Sequence, residues 1–304
     1  MPHSALSGTT GQPFRLADAD ARDLSDLVDA ERYPLGATQS STMRAVIARC
    51  REELDAVGCS LLPGFLRPDA LARAREEGRQ LSRKAFFAGQ HTNPYFTADD
   101  PALPDDDPRR WFMDRTSGFV TRDLIPADTV MERLYVARGM KELISACLGE
   151  DRVYEYADPF AGLVLNVLPP GTQQPWHYDT NAFIVTLMTQ EPEQGGLFEY
   201  APNIRSATDE AFGDVGRVLR DEDRSAVRTL DLRPGDLQLF KGRFSLHRVT
   251  RVAGDEARHT AIFAYSERPG VIGRLERTRQ LYGRVSEAHL QAEAQHVRSD
   301  DLID

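Results

Sequence analysis

The sequence predicts a mainly β domain flanked by helices, built as a sandwich, a barrel or a jelly roll. Two features carry this expectation. Between Asp151 and about residue 270, short β runs follow one another, separated by turn signals at "LPPGT", "EQGG" and "RPGD". On either side of that region, apolar residues recur at helical rather than alternating spacing. With 304 residues and 41% hydrophobic content, the chain is long enough to bury a sizeable core.

Taken in order, residues 1–41 are polar and weakly patterned and read as an arm on the surface. Thr42 to Val57, "TMRAVIARCREELDAV", places apolar residues three and four apart and meets a stop at Gly58, so a helix is expected. "CSLLPGF" reads as a short strand and turn, and Pro68 to Phe87 as a second helix. His91 to Arg110 is a loop by its Pro, Asp and Asn content, and Ala127 to Leu148 is a third helix. Residues 42–150 thus form a helical lead-in packed on the core. The core, 151–270, contains "RVYEYA", "AGLVLNVL", "AFIVTLMTQ", "GGLFEYAP", "VRTLDL", "DLQLFKG", "SLHRVTRV" and "RHTAIFAYSE". A polar, helix-prone insertion at about 205–226 interrupts it. Residues 271–304 close the chain with a helix from Arg274 to Val297, the whole forming one structural domain.

The formal net charge of −10, from 47 acids against 37 bases, disfavours nucleic acid and anionic membrane surfaces as partners. No apolar run approaches the ~18 residues of a membrane span. The N-terminal "MPHSALSGTTGQPFRLADADARD" lacks the apolar stretch of a secretory signal. Cys50, Cys59 and Cys147 lack C-x-x-C spacing and read as free thiols in a reducing cytoplasm. A small molecule is the expected partner, and a homodimer is compatible with these features.

The stretch "QQPWHYDTNAFIVTL", Gln173 to Leu187, sets His177 and Asp179 two apart at the head of a strand-like run. In a strand those two side chains share one face, while Trp176 and Tyr178 take the other. His247 follows in a late strand, "GRFSLHRVTRV". Two imidazoles and one carboxylate leave about three positions of an octahedral metal open, which suits non-haem Fe(II) handling O₂. Structural zinc would want four protein ligands. Eleven residues after His247, Arg258 opens "RHTAIFAYS", with Thr260 on the same face. A guanidinium fork beside a hydroxyl suits the distal end of a small dicarboxylate.

H-x-D, a distal His and Arg-x-Thr, in that order, resemble the Fe(II)/2-oxoglutarate-dependent oxygenase superfamily over roughly 151–270. "PWHYDTNAFIVTLMTQEPEQGGLFEYAPNIRS" and "VRTLDLRPGDLQLFKGRFSLHRVTRV" are most similar to the BesD-type family of free amino-acid halogenases and hydroxylases. The resemblance implies a double-stranded β-helix, the cupin-like jelly roll, with added helices. It implies that His177, Asp179 and His247 hold Fe(II), and that Arg258 and Thr260 bind 2-oxoglutarate, with Asn166 lining the same space. The co-substrates would be 2-oxoglutarate and O₂, and the reaction an oxidation of an unactivated C–H bond by hydroxylation, desaturation or ring closure. Halogenating members carry Gly or Ala where this chain has Asp179, which points to hydroxylase-type chemistry. Arg115 matches the arginine that grips the substrate's α-carboxylate, Glu155 or Asp158 stands near the acid that holds a lysine-like ammonium, and Trp176 would wall the pocket. Phe160 and Ile262 depart from the lysine-binding pattern. The rival reading is a metal-binding cupin-like isomerase or binding protein that does not use 2-oxoglutarate.

Overall fold

A computed structural model describes residues 24–293 and 303. Three of the strands that precede the core extend its major sheet: β1 (Cys59–Leu62), β2 (Phe86–Phe87) and β3 (Gly118–Thr121). Eight build it: β4 (Leu163–Leu168), β5 (Gln174–His177), β6 (Ile184–Gln190), β7 (Phe198–Ala201), β8 (Arg228–Leu230), β9 (Leu237–Phe240), β10 (Leu246–Val249) and β11 (Arg258–Phe263). Among the described residues they fall into two antiparallel sheets, a major one in the order β1-β9-β6-β11-β4-β3-β2 and a minor one in the order β8-β7-β10-β5. Apart from the β7–β8 hairpin, the chain crosses from one sheet to the other at each connection. That is the double-stranded β-helix, a jelly roll with flanking helices.

Alternation sorts the major sheet into two chemistries. Leu163, Leu165 and Val167 of β4, Val185 and Leu187 of β6, and Ala261 and Phe263 of β11 face outward into the largest apolar core. Helices α1 (Ser41–Val57), α2 (Pro68–Ser82), α3 (Val130–Val136) and α4 (Arg138–Leu148) contribute to that core. The inner face carries Val164, Asn166 and Leu168, in register with Ile262, Thr260 and Arg258. Polar groups placed here are shielded from water yet point into the barrel, which is where a site belongs.

Helix α1 forms as its spacing predicts, burying Met43, Cys50 and Leu54. Ser40 Oγ accepts from the Met43 amide at 3.2 Å, a cap worth about 1 kcal/mol, and Gly58 closes the helix at φ +65°. The second expected helix is shorter than its pattern. It stops at Ser82, and Phe86–Phe87 pairs with Gly118–Phe119 as an edge strand instead. The third divides at Ala137, which is extended (φ −68°, ψ 135°). In one straight helix Leu143 would stand about 180° from Leu134, nine residues on at about 100° each; the break lets both reach the core.

Other departures are local. "RVYEYA" supplies only Tyr154–Glu155, paired with Tyr265–Ser266 outside both sheets, and β5 takes the vacant place among the eight core strands. The insertion holds one helix, α5 (Phe212–Leu219), whose Val215, Val218 and Leu219 pack with Trp176, Tyr178 and Leu246 outside the minor sheet. The tail helix breaks at Gly283 (φ +68°) into α6 (Leu275–Tyr282) and α7 (Glu287–Glu293); its expected end at Val297 lies outside the described residues. Residues 1–23 of the expected surface arm also lie outside them. Leu24, Leu27, Val28, Tyr33 and Leu35, by contrast, are buried in the main core rather than laid on the surface. The three cysteines are free and buried. No helix among the described residues is long and apolar enough to cross a membrane.

His259 gives this fold an acid weakness. It faces outward beneath α2, where a Cβ on Gly78 would lie 3.2 Å from its Nδ1. Neither ring nitrogen has a hydrogen-bond partner among the described residues. Burial pushes the imidazole down from 6.5 to about 4. Above pH 6.5 the ring is neutral in both states; as pH falls from there, the unfolded chain gains a proton that the folded chain refuses until about pH 4. The difference, 6.5 − 4, amounts to about 3 kcal/mol of stability lost over that window. Urea midpoints at pH 7 and pH 4 should show His259→Leu losing less on acidification than wild type by that order.

Candidate metal centre

Strands β5 and β10 are neighbours in the minor sheet, and their register sets His177 opposite His247. The ring centroids are 4.1 Å apart. Each Nδ1 lies against the carbonyl oxygen two residues earlier, His177 to Pro175 at 2.8 Å and His247 to Ser245 at 2.9 Å. A protonated Nδ1 donates there, so both rings present an Nε2 lone pair to the same space. Asp179 lies beyond the end of β5, not within a strand running through Leu187, as its flanking pattern suggested. The chain turns between His177 and Ile184, and the Asp179 amide donates to the Gly242 carbonyl at 3.1 Å. This places Oδ1 3.9 Å from His177 Nε2 and Oδ2 3.5 Å from His247 Nε2. One donor atom from each of the three residues lies within 4.8 Å of the others.

The electrostatics agree with a cation site. Burial, helped by the neighbouring His247, drives His177 well below the ordinary imidazole range, so it is neutral. Burial alone would raise the Asp179 carboxyl, but His247, His177 and Arg277 outweigh it and hold it below the usual range. Oδ2 of that ionised carboxylate is buried with no hydrogen-bond partner among the described residues. An orphaned carboxylate oxygen facing two imidazole Nε2 atoms is the donor set of a divalent metal with open positions. Gly242 makes the room, since a Cβ there would lie 1.8 Å from Asp179 Oδ2. Gly242→Ala should therefore displace the carboxylate and lower Fe(II) affinity about 10- to 100-fold, the range for losing a ligand's support, checked by iron titration alongside circular dichroism.

Deeper along the major sheet, Arg258 is 3% exposed and has no carboxylate partner among the described residues. Its Nη1 donates to Thr260 Oγ1 at 2.7 Å, and its Nε has no partner there. Burial lowers the guanidinium to about 10, still protonated at neutral pH. Asn166 stands beside Thr260 in register, its Nδ2 directed at the Gly118 carbonyl at 3.4 Å. Lys241, whose place in the sequence would also allow a second carboxylate anchor, pairs with Asp55 at 3.1 Å.

The family model for halogenase D matches residues 112–277, more than half of the chain. The chain belongs to the halogenase D family. With its jelly roll and His-Asp-His cluster, it is an enzyme of the Fe(II)/2-oxoglutarate-dependent oxygenase superfamily. Among solved structures, the epimerase SnoN in complex with Fe3+, alpha ketoglutarate and nogalamycin RO is 16% identical, with a TM-score of 0.52 over 73% of this chain and 84% of that one. A Pseudomonas putida prolyl-4-hydroxylase is 15% identical, with a TM-score of 0.45 over 71% and 97%. At these identities SnoN is a likeness of fold. No curated protein matches the sequence.

The remaining candidates of this halogenase D family member divide. Arg115 is buried at the metal side of the barrel, where its charge helps depress His177. Its guanidinium lies 4.9 Å over the Phe119 ring, Nη1 reaches Gln90 Oε1 at 3.4 Å, and no carboxylate pairs with it among the described residues. Trp176 does not wall the pocket. Alternation turns it to the outside of the minor sheet, against α5 and under the Arg248 guanidinium at 4.6 Å. Asp158 is not open to a substrate ammonium either. Its Oδ1 accepts from the Phe160 and Ala161 amides at 2.7 and 2.8 Å, and its Oδ2 meets the Gly273 amide and His289 Nε2, both at 2.9 Å. A carboxylate engaged four times is a structural clasp between the chain before β4 and α7.

Three neighbours of the centre escaped the sequence reading. Gln174 Nε2 lies 2.8 Å from His177 Nε2, an i, i+3 approach that a regular strand forbids and the irregular pairing of β5 with β10 permits. Phe96, left-handed at φ +57°, sets its ring edge-on to His177 at 6.2 Å. A bulky residue held there is strained. Arg277 of α6 lies over that ring, 3.2 Å from its centroid. A loop phenylalanine and a tail arginine carry no sequence signal for such a meeting.

Proposed function

We propose that the protein oxidises an unactivated C–H bond of a small free amino acid of about lysine's size, by hydroxylation or a related desaturation or ring closure. In this reading His177, Asp179 and His247 hold Fe(II), and Arg258 with Thr260 grips the C5 carboxylate of 2-oxoglutarate, beside Asn166. The iron, with 2-oxoglutarate and O₂, supplies the oxidising power, and succinate and CO₂ leave. Arg115 takes the substrate carboxylate and so fixes which carbon faces the metal. Two buried guanidiniums without carboxylate partners support two anions, the co-substrate and the substrate. The same observation on Arg258 disfavours a cupin-like protein that does without 2-oxoglutarate.

The observation that carries hydroxylation over halogenation is Asp179. Its carboxylate stands at the third metal-facing position, faced by both imidazoles, while its backbone amide is fixed by donation to the Gly242 carbonyl. A halide has no such place to occupy. Mass spectrometry of reactions run in high chloride should find oxidised product without chlorine, and abundant chlorinated product from wild type would overturn the assignment. Asp179→Gly is expected mostly to lose activity, with chlorination at best a trace. Opening a position does not supply the second-shell donors that hold a halide.

A further inference from the structure

Resting on that reading of the site, we infer that the substrate is a small carboxylate whose far end is uncharged and apolar, and that Val164, Ile262 and Phe160 select it. Arg115 marks the carboxylate end. Its guanidinium lies over Phe119, and Phe119 belongs to one apolar cluster with Phe160, Val164 and Tyr282, against which Ile262 and Leu281 pack. The charged anchor and the apolar wall are therefore adjacent.

The wall borders a space and is not sealed packing. Ile262 sits on β11, which has a neighbour on each side, and it faces inward beside Val164. Its side chain nevertheless keeps partial exposure, as do those of Ile184 and Thr186 on β6, while the outward-facing His259, Ala261 and Phe263 are buried. A central strand exposed only on its inner face lines the barrel mouth.

The acids around this wall are already matched. Asp158 holds three backbone amides and His289. Asp123 takes Arg284 and the Thr121 hydroxyl, and Glu155 takes Lys141 and Arg122. The Arg284 guanidinium also lies 4.1 Å over the Phe160 ring, bringing a positive charge to the wall. An ammonium at the substrate's far end would shed its water here with no counter-charge to meet it. A methyl, isopropyl or phenyl end loses nothing and gains burial.

The test uses the enzyme loaded anaerobically with Fe(II) and 2-oxoglutarate. The weak visible charge-transfer band of that complex must form first; its absence refutes the cofactor reading itself, and the inference falls with it. Given the band, norleucine, leucine or phenylalanine should perturb it and raise succinate release in air at least tenfold. Lysine, ornithine and glutamate should need at least tenfold higher concentration. Equal or tighter binding of any of those three, or no response to the neutral acids, overturns the inference. In Ile262→Asn the band should persist while norleucine binding weakens about tenfold; unchanged norleucine binding removes Ile262 from the selecting wall.

Discussion

Replacing His177 or His247 with alanine is expected to abolish iron binding and turnover. Each variant removes one of two imidazole donors that lie 4.1 Å apart by centroid and face one carboxylate. Two remaining ligands hold Fe(II) poorly. Losing a ligand's supporting hydrogen bond already costs about 10- to 100-fold, so losing the ligand should cost more than that. Iron content after desalting, measured beside circular dichroism, separates loss of metal from loss of fold. Either variant with near wild-type iron and activity would show the triad to be wrongly assigned.

Arg258→Ala should raise KM for 2-oxoglutarate by roughly 10- to 150-fold, the equivalent of about 1.5–3 kcal/mol for a charge-assisted hydrogen bond. The estimate rests on burial. Arg258 is 3% exposed, bonded only to Thr260, and has no acid partner among the described residues, so an anion in the barrel meets an undiluted charge. An unchanged KM would pass the role to another cation, but Lys241 is tied to Asp55. Arg258→Lys should recover part of the affinity, since an ammonium restores charge without the planar fork.

Much of the centre was legible because its signals are short-range. H-x-D and Arg-x-Thr lie within three residues each, and alternation along β11 correctly joined Arg258 to Thr260. The same alternation assigned Trp176 to the face opposite His177, which makes its placement outside the minor sheet readable from the strand itself. Asp158 was misread for a different reason. Its partner His289 lies 131 residues on, in a tail helix whose packing no local pattern announces. The helix limits failed similarly: Phe86–Phe87 became a strand because Gly118–Phe119 offered an edge, not because its own residues changed propensity.

By itself, the sequence determined that a β core, a sandwich, a barrel or a jelly roll, would follow a helical lead-in and in what order two imidazoles, a carboxylate and a guanidinium would arrive. Those properties depend on side-chain period and residue type, which are local. Only the tertiary structure decided which strands became neighbours and so brought residues 177 and 247 into register. It alone decided that a turn after β5, given room by Gly242, would carry Asp179 to the imidazoles. It also decided which buried charges were left without opposite partners. Asp158 and Glu155 found bases, while Arg115 and Arg258 have no acid partner among the described residues. Pairing of buried charges is settled by distance across the folded chain, and a linear sequence does not contain that distance.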